Sequence, residues 1–394
     1  MSYKLPSPLI NKEKGNIFSV KIPFHLLKNP TAQKGNVVIF WGADFKNLPP
    51  GIPEDKFVEL SNACIDFVRR NCRDLKLIYK MHPAETDEYK QLNLEGFTVA
   101  GTDNIGEFYL LQNLGRIKYT FSAISGACVS AHKMGVPSFI FLDLFEPLFR
   151  PETKKGYREY FSPLPEQSFV SNLNDDLKEY AVVADTDTKL ENNFKQLLEN
   201  NPGKVFFIAD TPGSLAEIIA LSKLVKNISP DHKTGLIICK HRRWNVMNFD
   251  ELKPYFDSID IFPRTFYSLR PQKLLQSLEI ARNIKKFPIR PEDILIGTTL
   301  TSFVEVCFMS YHKKAKRLAF LRQASFDTVY GSKAGEMLAE ISYKIPPASR
   351  FYNLFFEPLL GLYRTVYMND PGKVMNFRCY QKPVNDIYDQ IYLI

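Results

Sequence analysis

Residues 36–42, NVVIFWG, residues 54–72, EDKFVELSNACIDFVRRNC, and residues 75–80, LKLIYK, decide the fold class. The first and last are short unbroken apolar runs, as expected of strands covered on both faces. The middle stretch sets Phe57, Val58, Cys64, Phe67 and Val68 near helical spacing, which gives one apolar helix face. Strand, helix, strand in that order predicts a parallel crossover unit, because parallel strands need a long connection to return to the same end.

The pattern continues outward. FTVA (97–100), RIKYTF (116–121) and SFIFL (138–142) read as strands, with helices NIGEFYLLQNL (104–114) and SGACVSAHKM (125–134) between them. It then restarts. Strand KVFFIA (204–209) runs into a helix beginning around ADTPGS, where Asp210 or Thr211 is placed to cap and Pro212 to occupy the first turn. Strands follow at GLIICK (235–240), IDIF (259–262), DILIG (293–297) and RLAFL (317–321), with a helix over 271–284. The expectation is an α/β protein of two tandem Rossmann-like domains, residues 1–175 and 204–394. The join near 175–203 is acidic and polar and ends in Asn-Pro-Gly. The stretch after about 343, rich in Pro, Tyr and Phe, is expected to be an irregular but packed extension.

The composition is that of a soluble globular chain: 45% of the 394 residues are hydrophobic and 24% charged. No run approaches the roughly 18 apolar residues of a membrane-spanning helix, and the first residues lack a signal peptide's apolar core. A cytoplasmic location is expected. The net charge of +8 favours anionic partners such as nucleotide phosphates, acidic sugars or a membrane surface. Nucleic acid is not expected, since neither an aromatic RNP motif nor a GXXG loop in a KH-like setting is present. The six cysteines form no CxxC pair, so reduced, mostly buried thiols are expected. No DxD-like pair stands beside a strand, so neither a metal nor another cofactor is expected.

Two features carry candidate chemistry. His82-Pro83 follows strand LKLIYK directly, and in open α/β sheets ligands bind beyond the carboxyl ends of the strands. Pro83 holds the backbone of His82 extended. An imidazole there can donate to a phosphate or protonate a leaving group. The plain alternative is a structural histidine. Second, strand RIKYTF ends where Ser122 and Ser125 bracket a turn, and Gly126 opens a helix of small residues. Helix N-termini and serine hydroxyls suit an anion, although an ordinary serine cap would look the same. One or two β/α units separate the features, which lets them line one crevice.

His82-Pro83, the Ser122–Ser125–Gly126 turn and the later Gly135-x-Pro137 together resemble the donor domain of bacterial GT-B-fold CMP-sugar transferases. These are the sialyltransferases and polysialyltransferases of capsule and lipooligosaccharide synthesis. The resemblance covers roughly residues 36–145. It implies that His82 and Pro83, with Ser122 and Ser125, hold a CMP phosphate, and that Thr102, before the second helix, lies near the base. In this chain two residues separate the serines, which are usually adjacent in the family. The family also implies a catalytic carboxylate in an acidic-acidic-Gly motif. That motif is absent here, leaving Asp327 and Asp210 as candidates; Asp210 can equally be only a helix cap.

In the family the acceptor domain comes first, and here the nucleotide-like half does. A permuted domain order, a piece of a longer transferase, or a transferase-like first half alone would each explain this. His241, Arg242 and Arg243 could meet an anionic acceptor or form a solvated basic loop. GTTLTSF (297–303) could contact a sugar or cap a helix. Asp143 and Glu146 could meet a ribose hydroxyl or a base edge.

The function expected is inverting transfer of an acidic, sialic-acid-like sugar from a CMP donor to a glycan acceptor. The partners would be a nucleotide-sugar donor, a glycan, and capsule machinery or the inner membrane face through peripheral association. Two rivals stand beside it: a polyol-phosphate or other nucleotide-sugar transferase, and a non-catalytic scaffold of a polysaccharide-synthesis complex.

Overall fold

The computed structural model describes residues 10–27, 35–45, 48, 52–102, 105–182, 188–240, 244–245, 247–263, 269–299, 302–322, 351, 355–363, 365–369, 376–380 and 383–394. In chain order its strands begin with β1 (Ile17–Ser19), β2 (Val37–Trp41), β3 (Lys76–Lys80), β4 (Phe97–Ala100), β5 (Ile117–Ser122) and β6 (Ser138–Ile140). Then come β7 (Val205–Ala209), β8 (Thr234–Lys240), β9 (Ser258–Pro263), β10 (Ile294–Gly297) and β11 (Lys316–Leu321). The hairpin β12 (Thr365–Asn369) and β13 (Asn376–Tyr380) precedes β14 (Gln390–Leu393). The helices used below are α1 (Glu54–Asn71), α2 (Gly106–Asn113), α3 (Ala127–Lys133), α4 (Leu142–Phe145), α5 (Pro151–Phe161), α6 (Thr188–Asn200), α7 (Leu215–Ile228), α8 (Pro271–Lys285) and α9 (Phe303–Tyr311).

The chain divides into two compact units. One comprises Pro23–Thr186 with Leu215–Ala220, and the other Met1–Ile22, Asp187–Ser214 and Leu221–Ile394. Of the described residues, 10–22 group with the second unit, and Leu215–Ala220 with the first.

The first unit holds a five-stranded parallel sheet in the order β4-β3-β2-β5-β6. All five residues of β2 are buried, which explains the continuous apolar run, while the edge strand β4 has two exposed residues at its centre. Helix α1 buries Phe57, Ser61, Cys64, Ile65, Phe67 and Val68. Val58 is only half-buried, and Ile65 completes the face instead. The core is aromatic: Phe121 stacks on Phe139 at 5.1 Å between ring centroids, and Phe67 meets Phe141 edge-on at 5.6 Å.

The second unit holds a seven-stranded sheet, β1-β14-β11-β10-β7-β8-β9, parallel throughout. Its portion β9-β8-β7-β10-β11 has the same connectivity as the first sheet. The C-terminal stretch read as irregular supplies β14, which lies between β11 and β1, so both chain ends build this sheet. The start of the helix after β7 also differs from expectation. Pro212–Ser214 form a single 3-10 turn, and Ser214 rather than Asp210 or Thr211 stands at the N-cap of α7. Cys64, Cys72, Cys128, Cys239 and Cys307 are buried. Among the described residues no helix is long and apolar enough to cross a membrane.

Candidate functional site

In the first unit the strand order reverses between β2 and β5, and the carboxyl ends of strands flanking such a reversal form a crevice. Trp41 ends β2 and pairs with Lys80 of β3 on one side and Ser122 of β5 on the other. Those two strand ends therefore lie two strand spacings apart, about 10 Å. His82 leaves the sheet two residues beyond Lys80, and Ser125 three residues beyond Ser122. Both rim the same end of the same sheet.

His82 is held tightly. Residues 82–85 form a turn closed by the Glu85 N–H donating to the His82 carbonyl at 2.9 Å, with Pro83 at its second position. The Glu85 side chain reaches back, and its Oε2 accepts from the His82 N–H at 3.0 Å. Its Oε1 accepts from the Tyr79 hydroxyl at 2.8 Å. The Ala84 N–H donates to His82 Nδ1 at 3.2 Å. With Nδ1 accepting, a neutral ring carries its proton on Nε2. The imidazole is half-buried and Pro83 exposed.

Two buried charges bracket this histidine. Lys80, 2% exposed, donates to the carbonyls of Gly101 at 2.6 Å and Met81 at 3.1 Å, tying the end of β3 to the loop after β4. Glu85 is 3% exposed. Burial pushes its carboxyl above the ordinary range, against the pull of the His82 N–H and the Tyr79 hydroxyl. Gly42, directly after β2, completes the brace. A Cβ there would lie 2.5 Å from Glu85 Oε2, 2.8 Å from the Tyr79 hydroxyl and 3.1 Å from the His82 nitrogen. The sequence reading missed Gly42, Tyr79, Lys80 and Glu85. The one available signal was local: a carboxylate three residues after His82 can close a turn upon it.

The serine turn is built differently. Ser122 is fully buried, and its oxygen accepts from the Ser125 N–H at 3.1 Å. Ser125 Oγ accepts from Ala127 N–H at 3.4 Å, while the N–H groups of Cys128 and Val129 donate to the Ser125 and Gly126 carbonyls. Helix α3 has only seven residues, and these opening donors are engaged within the turn itself. A Cβ on Gly126 would collide with the Tyr160 hydroxyl of α5, so that ring stands over the turn. Thr102 is half-buried in the segment between β4 and α2.

The remaining candidates are dispersed. Asp143 and Glu146 both pair with Arg158, and Glu146 also with Lys154 at 2.8 Å, so these carboxylates hold α5. In the second unit Asp210 follows β7 and is 2% exposed; its carbonyl accepts from the indole N–H of Trp244 at 3.3 Å. Thr298 donates to the Ile208 carbonyl at 3.0 Å. Ser302 caps α9, accepting from the Glu305 N–H at 3.1 Å, the capping alternative for GTTLTSF. Asp327, His241, Arg242 and Arg243 lie outside the described residues.

No family model and no curated protein matches the chain. Two solved structures of the wall teichoic acid polymerase TagF are similar to it at 12% identity, covering 79% of this chain and 76% of theirs, with TM-scores of 0.19 and 0.18. A likeness that faint carries no argument, and the fold stands on its own description: two α/β units, each built on a parallel sheet.

Proposed function

We propose that this chain is a nucleotide-sugar glycosyltransferase whose donor phosphate is met by His82. One observation supports this above the rest. At the carboxyl end of β3, beside the strand-order reversal, the Ala84 N–H on Nδ1 sets the His82 ring to carry its proton on Nε2. A donor fixed before the ligand arrives stabilises the charge that grows on a departing phosphate. The serine turn has its hydroxyls and opening N–H groups engaged internally, so in this reading it shapes the wall of the crevice while His82 supplies the contact.

The donor proposed is a CMP-activated acidic sugar, on the resemblance of His82-Pro83 and the Ser122–Ser125 turn to the CMP-sugar transferases. In the inverting step the acceptor hydroxyl oxygen bonds to the anomeric carbon as the bond to the CMP phosphate breaks. The hydroxyl proton passes to a carboxylate acting as general base. No bound metal or other cofactor is part of the proposal; the glycan acceptor and a peripheral membrane association are.

Thermal shift with CMP, CDP-glycerol and UDP-sugars tests the reading. Stabilisation by CMP that is lost in His82→Ala is the expected result. Stabilisation by CDP-glycerol or a UDP-sugar without CMP would reassign the donor. Binding of none at millimolar concentration would leave a non-catalytic scaffold.

A further inference from the structure

The brace on His82 is costly for a part that merely closes a loop. Glu85 is all but excluded from solvent, and a carboxylate so placed gives up its hydration before its bonds return anything. An apolar residue would fill the same volume more cheaply. What the carboxylate adds is geometry. It joins three elements at one point: the end of β2 through contact with Gly42, the end of β3 through the Tyr79 hydroxyl, and the His82 backbone. The turn so closed is the one that brings the Ala84 N–H to 3.2 Å from His82 Nδ1. That bond decides which ring nitrogen carries the proton of the neutral imidazole.

We propose that Glu85 is the positioning residue of the His82 site. It locks the 82–85 turn so that the imidazole presents Nε2–H to an oxyanion, the phosphate of a nucleotide. The ligand class rests on the function proposed above; the locking of the ring does not. Tyr79 serves as the anchor of Glu85, and Gly42 is glycine because the anchored carboxylate occupies the space a side chain would need.

The test uses the full chain, with Glu85→Ala, Glu85→Gln, Tyr79→Phe and His82→Ala. The His82 tautomer is read from its ring nitrogen shifts by NMR, and CMP binding by calorimetry. Wild type should show the Nε2–H form. Glu85→Ala should show a mixture of tautomers and lose about tenfold or more in CMP affinity, the scale of one misplaced charge-assisted bond. Glu85→Gln keeps an acceptor for the His82 N–H and should recover most of both. Added to His82→Ala, the Glu85→Ala change should cost no further affinity.

The proposal is overturned if folded Glu85→Ala keeps a pure Nε2–H ring. It is equally overturned if that variant loses CMP affinity to the same extent with or without His82. Should Glu85→Ala not fold, Tyr79→Phe loosens the same carboxylate and must shift the tautomer in the same direction. If wild type binds no CMP, the donor assignment fails, and the tautomer comparison still decides the role of Glu85.

Discussion

Replacing Gly42 with alanine places one methyl group in the brace behind His82. The new Cβ would sit 2.5 Å from Glu85 Oε2 and 2.8 Å from the Tyr79 hydroxyl, both inside contact distance. A carboxylate at the end of a flexible side chain normally swings away at little cost. Here it is buried and bonded at both oxygens, at 2.8 and 3.0 Å, so yielding means breaking or stretching one or both bonds. Each hydrogen bond to a charged group contributes about 1.5–3 kcal/mol, so a loss of roughly 2–4 kcal/mol is expected. For a unit of this size that is a fall in melting temperature of about 5–15 °C. Denaturant unfolding of Gly42→Ala in two backgrounds isolates the cause. In Glu85→Ala the closest atom is gone and the Tyr79 hydroxyl is released, so the same substitution should cost about 1 kcal/mol or less. Equal costs in both backgrounds, or a cost under about 0.5 kcal/mol in wild type, would refute the brace.

The remaining expectations use independent parts of the molecule. Asp257 accepts from the Lys226 ammonium and the Thr234 N–H, both at 2.7 Å, with Lys233 nearby at 3.5 Å. Burial raises its carboxyl, but these partners outweigh it and bring it down to about 2. Because the folded value lies below the ordinary 3.8, its stabilisation is present above about pH 4 and is lost as pH falls through about 2. Partial solvent access limits this to about 1–2 kcal/mol, and Asp257→Asn should flatten acid unfolding over that window. Phe121→Ala empties a fully buried site in the aromatic core and should cost about 3–5 kcal/mol by denaturant unfolding. Gly297→Ala drives a Cβ into the buried Glu305 carboxyl, which accepts from Tyr388 and Thr299, and should lower stability by about 2 kcal/mol or more by the same measurement.

Periodicity alone was enough to set the class of fold and most of its elements. A strand buried on both faces must be apolar at every position, and a helix on a sheet must repeat its apolar face every three or four residues. Both constraints are local, and VVIFW and FVELSNACIDFV show them directly. The end of β3 before His82-Pro83 was legible for the same reason. β1 and β14 were not. Each is only three or four residues long, and each becomes a strand through the neighbour it pairs with rather than through its own pattern. The helix after β7 was legible as a helix, but its start moved to Ser214 because a 3-10 turn intervenes.

The site divides along the same line. His82 stands out in the chain because a His-Pro pair after a strand has few other places to go. What surrounds it required the third dimension. Gly42 lies far from Tyr79 and Glu85 in sequence and meets them only because β2 and β3 are neighbours in the sheet. The serine turn was read as an anion site because unpaired N–H groups are the rule at helix starts, and only coordinates show where each of those donors goes. Patterns along the chain therefore determined where strands end, which is a matter of local burial. Packing between strands decided which side chains at those ends are committed to one another, because a hydrogen bond depends on a partner that sequence distance does not reveal.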